Sequence, residues 1–376
     1  MTQTQKLLCE LIALPSVNNT LLPAGHPRAG EQPVADFLAA IAARAGLDVD
    51  FQKVFPGRSN LFARLSPQGK VRSRILLAPH LDTVDIASDE QLLPREKNGR
   101  LYGRGASDTK GSVAAMMSAL CELAQKRAAP KGTEIIFVGL VDEETGQGGS
   151  RALAASGFKA DLAIVGEPTC LRLVTAHKGN LWLKLETHGK AAHGSRPDLG
   201  KNAVLEMARI VDLLETQYAA QLRKHRHPIL GHATVNVGTI SGGVQANIVP
   251  AHCSITIDRR TIPGETDAGV WRELRALLLK KHLHATLDNT KTGACLPLET
   301  NPSLPLVRKF MSSLGQKRPL GVDYFCDASV LAHGGIPSVV FGPGDIAQAH
   351  TIDEWISLAE LERGRQLLVN FLSSLE

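Results

Sequence analysis

Cysteine is scarce and unpatterned in this 376-residue chain: six residues (Cys9, Cys121, Cys170, Cys253, Cys295, Cys326) lie far apart and form no CxxC pair. That excludes a cysteine zinc site. With no secretion signal in view, it predicts free thiols in a reducing compartment rather than a disulfide frame. No apolar run approaches the ~18 to 20 residues that cross a bilayer. The opening MTQTQKLLCELIAL lacks the basic flank, continuous apolar stretch and cleavage site of a signal peptide. It reads as an amphipathic helix, with Leu7, Leu8, Leu11 and Ile12 as its apolar stripe, in a cytoplasmic protein. An excess of one charge is missing as well: 42 Lys and Arg are spread among 37 Asp and Glu, leaving a net charge of +5. The densest basic patch, Arg223 to His227, holds no aromatic for base stacking, so neither nucleic acid nor membrane is expected as a partner. Also absent are a solenoid repeat, a Walker A loop, an HExxH motif and a GxSxG elbow.

What is present is ordinary in amount and informative in order. Hydrophobic residues make up 43% and charged residues 21%, as in a globular protein, and the length suits two domains. Four short apolar runs end in polar residues: RILLAPHLD from Arg74, EIIFVGLVDEE from Glu134, DLAIVGEPT from Asp161 and PSVVFGPGD from Pro337. Such runs fit strands buried on both faces, and the helical spacing of TKGSVAAMMSALCELAQKRA between the first two predicts an α/β layer with a largely parallel sheet. The middle behaves differently. Alternating runs (LWLKLETHG, HATVNVGTI, HCSITIDRR, and a short one near Ala285 to Leu287) and two helical patterns follow the order β-α-β-β-α-β of a ferredoxin-like domain. Residues 179–289 therefore read as an inserted domain, and 1–178 with 290–376 as one discontinuous domain around it.

The chemistry gathers at the polar ends of the apolar runs. His80 and Asp82 follow the first, Asp142, Glu143 and Glu144 the second, Glu167 the third, and His350 lies beyond the fourth; Asp108 joins them from the glycine-rich turn GRGASDTKG. Open α/β sheets bind ligands outside the carboxyl ends of their strands, so these side chains should converge. So many carboxylates in one crevice would repel one another without cations, and imidazole with carboxylate suits catalytic zinc. Two divalent ions carry four charges; Asp108, Glu144 and Glu167 would return three and a bridging hydroxide the fourth. Successive residues on a strand point to opposite sides, so one of Glu143 and Glu144 can bind metal while the other stays free as a base. Each residue alone has a plainer reading, as a structural histidine, a solvated acidic loop or a helix cap. The joint pattern favours a metal site.

Taken together, these segments resemble the zinc-dependent aminoacylase, carboxypeptidase and acetylornithine deacetylase family of metallopeptidases. The matches are HLDTV at His80, GRGASDTKG, DEE at Asp142, GEPT at Gly166, GKAAHGSRPDLGKNA from Gly189, GGVQANIVP from Gly242, DRRTIPGET from Asp258 and GPGDIAQAHTIDEW ending at Trp355, in the family's order. The resemblance implies a zinc-peptidase-like catalytic domain with an inserted lid and dimerisation domain, and two divalent ions, zinc first and cobalt or manganese as alternatives. Asp108 would bridge them, His80 and Glu167 completing one site and Glu144 and His350 the other. Asp82 would accept the second N–H of His80 and fix its tautomer. Glu143 would be general base and acid. His193 would stabilise the oxyanion, reaching in relatives the active site of a partner subunit, so a homodimer is implied. Asn247 and Arg260 would bind substrate, Arg260 by bidentate capture of a carboxylate. Plainer readings of these three are a turn histidine, a strand-end turn residue and a surface ion-pair partner.

The reaction implied is hydrolysis of an N-acyl amino acid. The C-terminal pattern GPGD-x-x-x-AH followed by DEW is most similar to acetylornithine deacetylases. The serine- and glycine-rich segment of succinyl-diaminopimelate desuccinylases is replaced by Tyr324-Phe325-Cys326-Asp327. Asp85 stands where relatives often have Pro, and a tryptophan usual shortly downstream is missing. The expected substrate is N-acetylornithine or a related N-acetyl amino acid. Desuccinylase and carboxypeptidase or dipeptidase activities are alternatives, and an inactive binding homologue a remote one, since such a protein should have lost a ligand or the base.

Overall fold

In the computed structural model, which describes residues 1–290 and 293–376, the apolar runs form strands. Helices α1 (Gln3–Ala13) and α2 (Gln32–Arg44) precede strands β1 (Asp48–Phe55), β2 (Arg58–Leu65) and β3 (Ser73–Pro79). Then come α3 (Lys110–Gln125), β4 (Thr133–Gly139), α4 (Gly148–Ala155) and β5 (Leu162–Gly166). After these the chain forms β6 (Gly179–His188), α5 (Ala203–Leu213), β7 (Thr234–Gly242), β8 (His252–Thr261), α6 (Asp267–Lys280) and β9 (Thr286–Asn289). It closes with α7 (Pro305–Ser313), α8 (Asp327–His333), β10 (Ser338–Val340) and α9 (Leu358–Ser373). The contacts divide into two units. One comprises Met1–Thr175, Thr300–Leu320 and Cys326–Glu376, the other Ala176–Glu299 with Gly321–Phe325. The second unit is thus wider than the span 179–289 and includes a short return segment.

The first unit is an α/β layer. Six strands of its nine-stranded sheet run in the order β1-β2-β4-β3-β5-β10. The four from β4 to β10 are mutually parallel, whereas β1 and β2 are antiparallel to each other and β2 is antiparallel to β4. The sheet is therefore mixed, with a parallel centre. The hairpin at its edge went unread in the sequence because DVDFQKVF and RSNLFARL are broken by charges. The stripe Leu7, Leu8, Leu11 and Ile12 is the buried face of α1, and Thr2 and Gln5 close a capping box at its start. At its other end the buried Lys110 donates from Nζ to the carbonyls of Leu11 (2.8 Å) and Leu14 (2.7 Å). That contact ties the start of α3 to carbonyls that a helix end leaves without partners. In the GPG segment, a Cβ on Gly342 would lie 2.2 Å from Ser112 Oγ and 2.6 Å from the Glu167 carbonyl, so only glycine permits this approach.

The second unit is an antiparallel sheet in the order β7-β8-β6-β9, the strand order of a ferredoxin-like fold. Alternation sorts its faces: Leu181, Leu183 and Leu185 of β6 and Cys253, Ile255 and Ile257 of β8 are buried with Met207, Ile210, Val270 and Leu274 of α5 and α6. No helix among the described residues is long and apolar enough to cross a membrane.

Candidate metal centre

Parallel neighbours β4, β3 and β5 end at one edge of the sheet, and the acids and imidazoles leave from there. His80 directly follows β3 and Glu167 follows β5; Glu143 and Glu144 lie in a turn beyond β4 rather than on the strand. That turn, not strand alternation, separates the two glutamates. Glu144 Oε1 accepts from the Val84 amide (3.1 Å) and its Oε2 is 3.2 Å from His350 Nε2, while the Glu143 amide donates to Asp82 (3.0 Å).

Asp108 stands between two donor sets. Its Oδ1 is 3.2 Å from His80 Nε2, which is 3.8 Å from Glu167 Oε1. Its Oδ2 is 3.3 Å from His350 Nε2, which in turn meets Glu144. One ligand atom each from His80, Asp108 and Glu144 lies within 4.8 Å of the others. The turn that carries Asp108 is pinned by a residue to which the sequence reading gave no role. Buried Glu354 accepts from the amides of Gly105 (2.9 Å), Ser107 (2.8 Å) and Asp108 (2.9 Å) and from Arg104 Nη1 (2.8 Å). Only its place in the quoted DEW could have flagged it.

The contact expected between His80 and Asp82 takes another form. His80 Nδ1 lies 3.0 Å from the backbone carbonyl of Asp82 and 3.4 Å from its carboxylate. The carboxylate is already engaged, by Asn18 Nδ2 (2.8 Å) and by the amides of Glu143 and Glu144 (3.0 Å each). A carbonyl can only accept, so Nδ1 carries a proton toward Asp82, and Nε2 is directed at Asp108.

The electrostatics follow from crowding. Burial, against the pull of His80 and reinforced by Glu167, Asp327 and Glu144, pushes the Glu143 carboxyl well above its usual range. Burial does the same to Glu167, again against His80 and helped by Asp108, Asp327 and Glu144. Asp108 and Glu144 in turn push His350 up to about 10. The donor set fits two divalent cations: oxygen and imidazole ligands form two groups that share one carboxylate, in a setting where like charges need neutralising.

His193, Asn247 and Arg260 belong to the second unit. His193 and Asn247 are neighbours there: the Gly194 amide donates to the Asn247 carbonyl (2.7 Å), and His193 Nδ1 lies 2.7 Å from Ser195 Oγ. Arg260 directs Nε and Nη2 at the two oxygens of Asp258 (2.9 and 3.0 Å), so the fork expected to take a substrate carboxylate holds an internal one.

A profile of peptidase family M20/M25/M40 matches residues 76–374. An acetylornithine deacetylase of Myxococcus xanthus is 32% identical over 353 residues, 89% of this chain and 90% of that protein. Among solved structures, a metallo-carboxypeptidase of the M20 family from Sulfolobus solfataricus superposes with a TM-score of 0.79 at 20% identity, covering 99% of each chain. A Bacillus subtilis protein described as a dinuclear metal-binding peptidase of the same family gives 0.72 at 12% identity, over 99% of this chain and 97% of that one.

Proposed function

The chain belongs to peptidase family M20/M25/M40 and is thus a metallohydrolase of amide bonds; from that premise we propose that it deacylates an N-acyl amino acid, with N-acetylornithine as first substrate. The observation that carries this reading is Asp108, whose two oxygens face His80 and His350 separately. His80 and Glu167 would hold one ion and Glu144 and His350 the other, Asp108 bridging; zinc is the first choice, cobalt and manganese sharing such ligands. When bound, the ions supply Lewis acidity toward the scissile carbonyl and toward water.

The chain's own residues do the rest. Glu143 takes a proton from the attacking water and delivers it to the leaving amine. His80 is held in one tautomer by the Asp82 carbonyl. His193 is assigned to the developing oxyanion, Asn247 and Arg260 to the substrate, with Arg260 exchanging Asp258 for the substrate carboxylate. We further infer a cytoplasmic homodimer in which His193 acts across subunits. Light scattering that finds a fully active monomer would remove His193 from that role.

The substrate choice rests on the acetylornithine deacetylases that match about nine-tenths of the chain. Zinc-loaded protein should release acetate from N-acetylornithine faster than succinate from N-succinyl-diaminopimelate or an amino acid from a dipeptide. Preference for the succinyl compound or the dipeptide transfers the assignment to that activity, and inertness toward all three defeats it.

A further inference from the structure

Asn18 is fully buried and lies far from the metal-ligand motifs in sequence. It precedes a short 3-10 turn, Asn19–Leu21, whose Thr20 amide its side chain caps. In the fold its Nδ2 donates to Asp82 Oδ2 (2.8 Å) and to Asp142 Oδ1 (3.1 Å). Its Oδ1 accepts from the Thr20 amide (3.0 Å) and from the hydroxyls of Thr20 (3.0 Å) and Thr145 (3.1 Å). Its own amide donates to the Thr83 carbonyl (2.9 Å), so its backbone is fixed beside the HLDT segment. The surroundings leave no choice of group: two carboxylates on one side demand two N–H donors, and donors on the other demand an acceptor. A primary amide is the one side chain of this size offering both, and the same partners fix which way it points.

The two carboxylates it joins have different duties. Asp82 receives the amides of Glu143 and Glu144, and its carbonyl orients His80. Asp142 sits at the root of the turn bearing those glutamates. It accepts from the Gly148 amide (3.2 Å), shares the one Thr145 hydroxyl proton with Asn18 Oδ1 (3.1 Å to each oxygen), and is anchored by Arg58 Nη2 (3.1 Å), itself bound to buried Glu31. Asn18 therefore closes a loop of contacts from β2 through the 142–148 turn to the strand end that presents His80. Removing it takes one donor from each of two buried carboxylates and frees the turn on one side.

Resting on the metallohydrolase reading above, we propose that Asn18 is a positioning residue that holds the Glu143–Glu144 turn in register with His80 so that both metal sites form. Outer-shell partners of this kind are worth about 10 to 100-fold in metal affinity or activity. Asn18→Ala should weaken zinc retention against a competing chelator by about that factor and lower kcat, with KM changed far less. Asn18→Asp keeps the shape but removes both donors and adds a third carboxylate, so it should be at least as damaging as alanine. A residue that merely fills space predicts the reverse order. Where Asn18→Ala fails to fold, Asn18→Ser and Asn18→Asp carry the same measurement, with thermal unfolding of the metal-free proteins as the control for folding. Zinc retention is read without substrate. Absence of zinc binding in the unaltered chain overturns the functional reading and this one together. Normal binding that Asn18→Asp leaves unchanged overturns only the positioning role.

Discussion

The two units treat buried and half-buried acids in opposite ways. In the ferredoxin-like unit several acids are paired locally: Glu206 meets Lys201 (3.0 Å), Glu186 meets Lys184 (2.7 Å) and His252 (3.0 Å), Asp258 takes Arg260, Glu265 takes Arg259, and Glu273 accepts from Tyr218 and Gln221 instead of a cation. In the α/β unit Asp108, Glu143, Glu144 and Glu167 crowd two imidazoles, while the nearby guanidiniums are committed elsewhere, Arg58 to Glu31 and Asp142 and Arg104 to Glu354. Glu143, Glu144 and Glu167 are all pushed up by burial among like charges. A chain that pairs its acids locally in one unit, and in the other gathers them around donors aimed at a common point, has built the second arrangement for a cation it does not itself supply.

Substitution at Glu143 should break the contrast most sharply. Glu143→Ala is expected to lower kcat by about 10² to 10⁴-fold while zinc stoichiometry stays intact, because in the proposed mechanism Glu143 moves a proton and holds no ion. Glu144→Ala should lose zinc as well. Metal analysis of the two proteins checks this, and an emptied site in Glu143→Ala would move that residue into the ligand set.

Chelation comes next in size. Zinc at about 100-fold over its dissociation constant adds about 2.7 kcal/mol to whatever binds it. Hydrogen exchange should therefore show the amides around β3, the 142–148 turn and β5 losing protection with chelator, while those of β6 and β8 are unmoved. Equal loss in both units would contradict a metal requirement confined to one.

A third test strikes the self-paired unit. Arg259 is fully buried and donates to Tyr218 Oη (3.1 Å) as well as to Glu265. Arg259→Met should destabilise that unit by about 1.5 to 3 kcal/mol, the worth of hydrogen bonds to charged groups. Zinc affinity at the centre should be unchanged; a matching loss of zinc would show that the arginine serves the centre.

Legibility in the sequence divides along the same line. The parallel strands, the inserted β-α-β-β-α-β order and the acids at strand ends were readable because apolar runs and polar ends are local signals. The candidate ligands stood at strand ends and took their assignments from the family resemblance; in the structure His80 and His350 lie against Asp108, with Glu167 beside His80 and Glu144 beside His350. What stayed hidden was support from afar: Glu354 lies some 250 residues from the turn it pins, and Asn18 lies 124 from Asp142. An isolated Asn or Glu carries no periodicity, so only folding reveals its partners. The charged hairpin β1-β2 and the carbonyl, rather than carboxylate, contact of His80 were missed for similar reasons: both depend on what already occupies the neighbouring atoms.

The smallest effect tests whether pairing in the second unit is as ordinary as it looks. Burial raises the Glu206 carboxyl, but Lys201 and the His284 amide (2.9 Å) outweigh it and hold the group below its usual range. A carboxyl with a depressed folded pKa adds stability above its unfolded value, about 4.3, and loses it as pH falls through the folded one. Glu206→Gln should thus cost under about 1 kcal/mol at pH 7. The difference from the unaltered chain should shrink on acidification below about pH 4, read from exchange of the β8 amides. A difference that grows in acid would mean the carboxyl is strained, as in the other unit, and the distinction between locally paired and cation-seeking acids would lose its second half.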